Sequence, residues 1–227
     1  GVLAALGSGF ALRTDDIAAR GNFCTVDERG IVTDRRAGRI GTEENQRLCD
    51  KLQGLGVGGT DVYVQPIKEH RFLVVFRGHD LDHRINDTDP QATGRPPRPA
   101  EPLVEQAVST ARLANEVVDE MKARLRGEDP ANMVLLRGFS RRPDWPTLAD
   151  LYGLRGLAIA DYPMYRGVAK LLGMEVLEVQ ARLREKIAIA RQHWNDHDFF
   201  FLHIKATDSA GEDGDYDRKV ALIEEID

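Results

Sequence analysis

Two sets of residues in this chain are of the types that handle phosphate and metal. The first is acidic. A short apolar and aromatic run, Phe199–Ile204, leads into Asp208, Glu212, Asp213, Asp215 and Asp217, with Gly211 and Gly214 between them. A buried strand that delivers carboxylates to a glycine-bearing loop is a common way for α/β proteins to build a metal or phosphate site. Asp208 and Glu212 are hard oxygen donors, and two of these on one loop can share a divalent cation. The plainer reading is a solvated acidic loop in which Asp215 or Asp217 caps a last helix. Spacing leaves both readings open, and further ligands would have to come from elsewhere.

The second set is basic. Arg20, Arg35, Arg36, Arg39, Arg77 and Arg137 adjoin glycine or lie in glycine-bearing loops. Guanidinium groups take planar carboxylates and phosphates through paired hydrogen bonds, so as a group they point to a small anionic ligand. Singly, each reads as a surface arginine paired with one of the abundant acids. Arg77 and Arg137 are read as strand ends, where ligands bind in α/β sheets. Lys205, just past the apolar run, either neutralises a phosphate or is an ordinary exposed lysine. His70, His79, His83, His193, His197 and His203 form no metal motif, and His203 reads as a core residue in preference to an active-site group. No serine sits in a GxSxG elbow and no Walker-type loop occurs.

The elements that must position these groups alternate. Residues 1–13 read as a weakly structured connection. Phe23–Val26 and Gly30–Thr33 read as a hairpin. Thr42 is read as the cap of a helix with an apolar stripe through Leu48, Leu52 and Leu55. Residues 61–77 read as two strands, the second a continuous apolar run that belongs in the centre of a sheet. Residues 79–101, rich in proline and aspartate, read as a long loop, of a kind that is either functional or disordered. A helix follows through Val104, Val108, Ala111, Ala114, Val118, Met121 and Leu125, and then a strand over 132–138. Further strands are expected at Leu157–Ala160 and Met174–Val179, with helices at Pro163–Leu172 and over 179–195, the last through Leu183, Ile187 and Ala190. Strands separated by helices argue for an α/β fold, and the early strand pair for a mixed sheet with flanking helices.

Composition excludes several classes. A net charge of −6 argues against non-specific nucleic-acid binding, and no apolar run reaches membrane-spanning length. Cys24 and Cys49 match no metal spacing or disulfide framework and fit a reducing cytoplasm, as buried small hydrophobes. The 227 residues open without an initiator methionine and stop within a helical pattern, so the chain reads as a piece of something longer.

RGNFCTVD, TDRRAGRI, the TEEN that follows, VFRG, NDTDP, LLRG, AIADYPMYRGVAKLLGM and HIKATDSAGEDGD, in that order, resemble the archaeal-type cofactor-independent phosphoglycerate mutases of the alkaline phosphatase superfamily. The resemblance implies an enzyme interconverting 3-phosphoglycerate and 2-phosphoglycerate in glycolysis. A metal-bound serine takes the phosphoryl group and returns it to the other hydroxyl, and an inserted domain supplies arginines that hold the glycerate. It implies a connection from the phosphatase core over 1–19, an inserted substrate-binding domain over 20–197, and a return strand, acidic loop and helix of that core over 198–227. Arg20, Arg35, Arg36, Arg39, Arg77, Arg137 and Lys205 are the expected substrate contacts, and Asp208 and Glu212 the expected ligands of one metal. The superfamily pattern is Asp-x-x-Gly-His, but here Glu212 follows Gly211. Neither Ser8 nor Ser209 stands in the nucleophile's motif. The resemblance therefore implies a manganese or magnesium enzyme in full length, and a fragment expected to be inactive and to bind no metal alone. Its expected partners are phosphoglycerate and the remainder of the parent chain. A phosphatase of the same superfamily and a non-catalytic binding module are the alternatives.

Overall fold

The structure, a computed structural model, describes residues 1–177, 179 and 182–227. Contacts divide it into two units, Gly1–Ala5 with Ala11–Pro143, and Leu6–Phe10 with Asp144–Asp227. The chain begins with a short helix, α1 (Val2–Gly7), where the sequence reads as weakly structured. Val2 and Ala5 are buried, and that burial stabilises a segment with little helix signal of its own.

The first unit is built on antiparallel strands. These are β1 (Ile17–Val26), β2 (Val32–Asp34), β3 (Leu55–Val57), β4 (Thr60–Lys68), β5 (Arg71–Arg77) and β6 (Met133–Arg141), with α2 (Thr42–Lys51) before β3 and α3 (Val108–Arg124) before β6. The order is β2-β1-β5-β4-β3, and β6 also pairs with β1. The expected hairpin is the β1–β2 pair, with Thr25 opposite Asp34. β5 lies between β1 and β4, and Phe72–Phe76 are all fully buried, as a continuous apolar run requires.

Helix boundaries differ from the sequence reading. The N-cap of α2 is Gly41 rather than Thr42, whose hydroxyl instead accepts from the Glu69 N–H at 3.3 Å. Leu55 leaves the α2 stripe and enters β3. Val104 is extended, ahead of a 3-10 turn at Glu105–Ala107, so it falls out of phase with α3, and Val108 is exposed. Ala111, Ala114, Val117, Val118 and Met121 carry the buried face.

Asn45 of α2 ties this helix to the β4–β5 turn. It is fully buried, and its amide donates to the carbonyls of Glu69 and Arg71, the latter at 2.7 Å. Removing the amide strands two carbonyls at a turn already strained by Glu69, whose φ is 51°. Asn45→Ala is expected to cost about 2 kcal/mol, from lost hydrogen bonds and unsatisfied acceptors. Urea unfolding followed by circular dichroism measures it, and an unchanged midpoint would contradict the clamp.

The second unit contains α4 (Leu148–Tyr152), β7 (Gly156–Ile159), α5 (Pro163–Leu171), β8 (Glu175–Leu177), α6 (Leu183–Gln192), β9 (Phe199–Leu202), α7 (Ala206–Glu212) and α8 (Tyr216–Ile226). Its sheet, in the order β8-β7-β9, is parallel. The pleat sorts the strand residues. Ala158, Val176 and Phe201 pack with Ala169 and Leu172, the α5 side, while Leu157, Ile159, Phe200 and Leu202 pack with Ile189 and Ala190 of α6. Helices therefore cover both faces, as a parallel sheet needs. The expected strand to Val179 and helix from residue 179 run across residues 178, 180 and 181, which lie outside the described residues.

The α/β class stands, with antiparallel and parallel strands in separate sheets. The contact boundary at 143/144 falls inside the stretch 20–197, because β9 takes β7 as its neighbour. The acidic loop after β9 is not a loop. Asp208 and Glu212 lie on α7, and Asp215 caps α8 by accepting from the Arg218 N–H at 3.1 Å. On α6, Lys186 is buried where Ile187 was expected, and Ile187 is exposed.

Candidate functional site

The basic set gathers in the first unit, where the 79–101 loop folds back along β6. The Thr88 N–H donates to the Leu136 carbonyl at 2.9 Å, the Leu136 N–H to the Thr88 hydroxyl at 2.8 Å, and the Gly138 N–H to Asp87 at 2.7 Å. This docking buries Asp89 completely and places it between two arginines. Arg35 grips it through Nε at 3.0 Å and Nη2 at 2.7 Å, and Arg137 approaches to 3.4 Å. Arg20 stands directly opposite Arg137 in the β1–β6 register. Like charges opposed across strands repel. Asp87 and Asp89 stand 3.9 and 3.4 Å from the Arg137 guanidinium and answer part of that charge. Burial pushes the Asp89 carboxyl up, but the Arg35 hydrogen bonds, the Gln91 N–H and Arg137 together hold it below its ordinary value.

Arg36 and Arg39 belong to a tight turn beside Arg35. The Asp34 carboxylate accepts from the N–H groups of Arg36 at 2.8 Å and Gly38 at 2.6 Å, and Ala37, Gly38 and Arg39 all have positive φ. Left-handed backbone at a non-glycine residue costs energy and is kept where structure around it demands it. Here it turns both side chains outward. Arg36 and Arg39 are exposed and, among the described residues, enter no ion pair, so they are the readiest contacts for a ligand.

Arg77 ends β5 as expected, but its guanidinium is taken. It donates to Asp16 at 2.8 and 2.6 Å and to the Ala11 carbonyl at 3.1 Å, and it stacks on Tyr63. Arg137 does not end a strand, since β6 continues to Arg141. The rule that ligands bind at strand ends concerns parallel sheets, and these arginines sit on antiparallel strands.

The acidic set lies in the second unit, with Lys205 as its counter-ion. The Lys205 ammonium pairs with Asp208, stands 3.6 Å from Glu212 and lies 5.4 Å from the Tyr162 ring. Asp208 and Glu212 are exposed on one face of α7, four residues apart, as a shared cation site requires. Among the described residues no group of three or more metal-ligating side chains occurs. The two carboxylates are donors of the type a hard divalent ion takes, but the Lys205 ammonium already pairs with both and they would form one edge of such a site without enclosing it.

One cluster escaped the sequence reading. The carboxyl ends of β7 and β9 are adjacent, and beyond them lie Asp161 and His203. Lys186 reaches up from α6 and donates to Asp161 at 2.5 Å and to the His203 carbonyl at 2.8 Å. The His203 ring stacks on Tyr165 with centroids 3.9 Å apart. Burial lowers the imidazole's proton affinity, and Lys186 lowers it further. The expected core role of His203 is thus only half of its position, since it packs on aromatics at a strand end. Asp161, directly after the apolar LAIA, carried a legible signal. Lys186, inside an amphipathic helix, carried none.

Residues 1–132 match the family model described as 2,3-bisphosphoglycerate-independent phosphoglycerate mutase. A probable 2,3-bisphosphoglycerate-independent phosphoglycerate mutase of Thermotoga neapolitana is 46% identical over 231 residues, and one of Aquifex aeolicus 45% over 242. Both alignments cover all of this chain but 57% and 58% of the relatives, so the chain spans little more than half their length. The solved cofactor-independent phosphoglycerate mutase of Thermoplasma acidophilum is similar at 32% identity and a TM-score of 0.68, over all of this chain and 62% of that one. The PH0037 protein of Pyrococcus horikoshii shares the fold at a TM-score of 0.76 and 22% identity, over 99% of this chain and 56% of that one.

Proposed function

Because the chain belongs to the 2,3-bisphosphoglycerate-independent phosphoglycerate mutase family, we propose that it serves an isomerase that interconverts 3-phosphoglycerate and 2-phosphoglycerate in glycolysis. The observation that carries this reading is that the family match, over 1–132, takes in Arg20, Arg35, Arg36, Arg39 and Arg77 of the arginine set. In this proposal Ala11–Pro143 is the substrate-binding insertion, and the parallel sheet with its helices is part of a phosphatase-like core. Arg36 and Arg39 take the anionic groups of the phosphoglycerate. Arg20, Arg35 and Arg137 supply the positive field around them, with Asp89 fixing the orientation of Arg35 and Arg137.

Manganese or magnesium belongs to the same proposal. Asp208 and Glu212 would hold one ion, together with donors that these residues do not include. When bound, such an ion stabilises developing negative charge in phosphoryl transfer. Lys205, which pairs with both carboxylates, would give them up to the ion and offer its ammonium to a phosphoryl oxygen. Among the described residues no helix is long and apolar enough to cross a membrane, and a cytoplasmic site of action suits a glycolytic substrate.

Two measurements test the reading. The 227 residues alone are expected to bind 3-phosphoglycerate, seen as a rise in melting temperature, and Arg36→Ala with Arg39→Ala is expected to abolish the rise. An enolase-coupled assay is expected to show no turnover by these residues alone, because neither Ser8 nor Ser209 stands in the family's nucleophile motif and, among the described residues, no group of three or more metal-ligating side chains occurs to activate a serine. Turnover there would sink the assignment of the nucleophile. In the full-length protein, release of inorganic phosphate and glycerate in place of 2-phosphoglycerate would make it a phosphatase.

A further inference from the structure

Lys186 is a charged group in an apolar place. It is 2% exposed, on the face of α6 that packs against Leu157 and Ile159 through Ala190 and Ile189. Removing an ammonium from water costs several kcal/mol, and a buried ion pair is often matched or surpassed in stability by apolar residues of similar volume. Stability therefore does not account for Lys186. Placement does. Asp161 lies two residues past β7, and His203 one residue past β9. These strands are parallel neighbours, so a single ammonium joins the ends from which ligand-binding loops depart. Two residues beyond His203 is Lys205, which holds Asp208 and Glu212. Asp161 Oδ1 and His203 Nδ1 are buried at the same strand ends with no hydrogen-bond partner, so polar groups are concentrated there beyond what packing needs.

We propose that Lys186 and Asp161 form a positioning pair for phosphoryl transfer, locking the carboxyl ends of β7 and β9 so that Lys205, Asp208 and Glu212 stand where the phosphoryl group and its metal require them. The inference rests on the mutase reading above. Neither residue needs to touch the substrate. Each acts by setting the path of the backbone from His203 into α7, and small displacements of reacting groups have large effects on rate.

The test uses the protein at its full encoded length. Lys186→Met with Asp161→Leu replaces the pair by apolar groups, and Asp161→Asn alone keeps the shape and removes the charge. The double replacement is expected to melt within a few degrees of the parent, and Asp161→Asn, which leaves the Lys186 ammonium with the His203 carbonyl alone, to melt lower. The rate constant kcat for 3-phosphoglycerate is expected to fall about 100-fold, with KM changed less than about threefold. Amide hydrogen exchange over residues 203–208 is expected to rise about tenfold, while β1 and β6 keep their protection. Lys186→Arg, which restores a cation, is expected to recover part of kcat. Variants that keep both kcat and exchange at the parent's level overturn the proposal, as does loss of kcat only in proportion to loss of folded protein. If the parent itself fails to turn over 3-phosphoglycerate, the mutase reading falls, and the exchange measurement alone decides whether the pair positions this segment.

Discussion

Replacing Arg35 by methionine is expected to destabilise the first unit by about 3 kcal/mol at pH 7, and to change the sign of one pH dependence. The cause is Asp89, whose side chain is wholly buried and held by Arg35 at 2.7 Å. With Arg35 present, the Asp89 carboxyl lies below its unfolded value. A depressed carboxyl contributes stability that is present above the unfolded value, about 3.9, and is lost as pH falls through the folded one. With Arg35 gone, the Gln91 N–H and Arg137 at 3.4 Å remain against full desolvation. Burial then prevails and the folded carboxyl rises above its unfolded value. Protonation now relieves the native state, so the variant's deficit shrinks as pH is lowered from 7 toward 5. Urea titrations of both proteins at the two pH values measure this. A deficit below about 1 kcal/mol, or one independent of pH, would show that Asp89 is solvated or held by other groups. The same variant is expected to lose 3-phosphoglycerate affinity, because Arg137 loses the carboxylate arrangement that orients it.

Gly21→Val is expected to be as damaging for a steric reason. Gly21 faces Phe72 across the β1–β5 ladder, and a Cβ there would stand 2.3 Å from two atoms of the Phe72 ring. That ring is fully buried and packs 4.4 Å from the Phe23 ring, so it cannot swing away. Losing glycine's unfolded-state entropy favours the variant by under 1 kcal/mol, while overpacking a closed core opposes it by about 3 kcal/mol. The clash wins. A fall in the urea midpoint at constant slope is the expected result. Combining Gly21→Val with Phe72→Leu should restore part of the loss, and strict additivity of the two changes would show that they do not share the space.

The acidic segment shows how far spacing alone can be trusted. Asp208 and Glu212 were legible as a pair because two hard oxygen donors stand four residues apart just past an apolar run. Whether they sat in a loop or a helix was not legible, since Gly211 and Gly214 read as loop residues. Gly214, with a φ of 72°, does break the chain between α7 and α8, while Gly211 lies within α7. The arginines were legible as residue types and not as contacts. Nothing local separates Arg36, which reaches solvent, from Arg35 beside it, which grips Asp89 from 54 residues away.

By itself the sequence determined most of the strand and helix succession, though not α1, β3, α4 or α7, together with the central place of Phe72–Phe76 and the family. Each of these is written in local periodicity or in the order of short motifs. Only the tertiary structure decided which charges are already answered. It put Asp16 on Arg77, Asp89 on Arg35 and Lys186 on Asp161, at separations of 61, 54 and 25 residues. Such pairings depend on which strands become neighbours and which side chains lose water. Desolvation and distance set their strength, and both are properties of the folded chain.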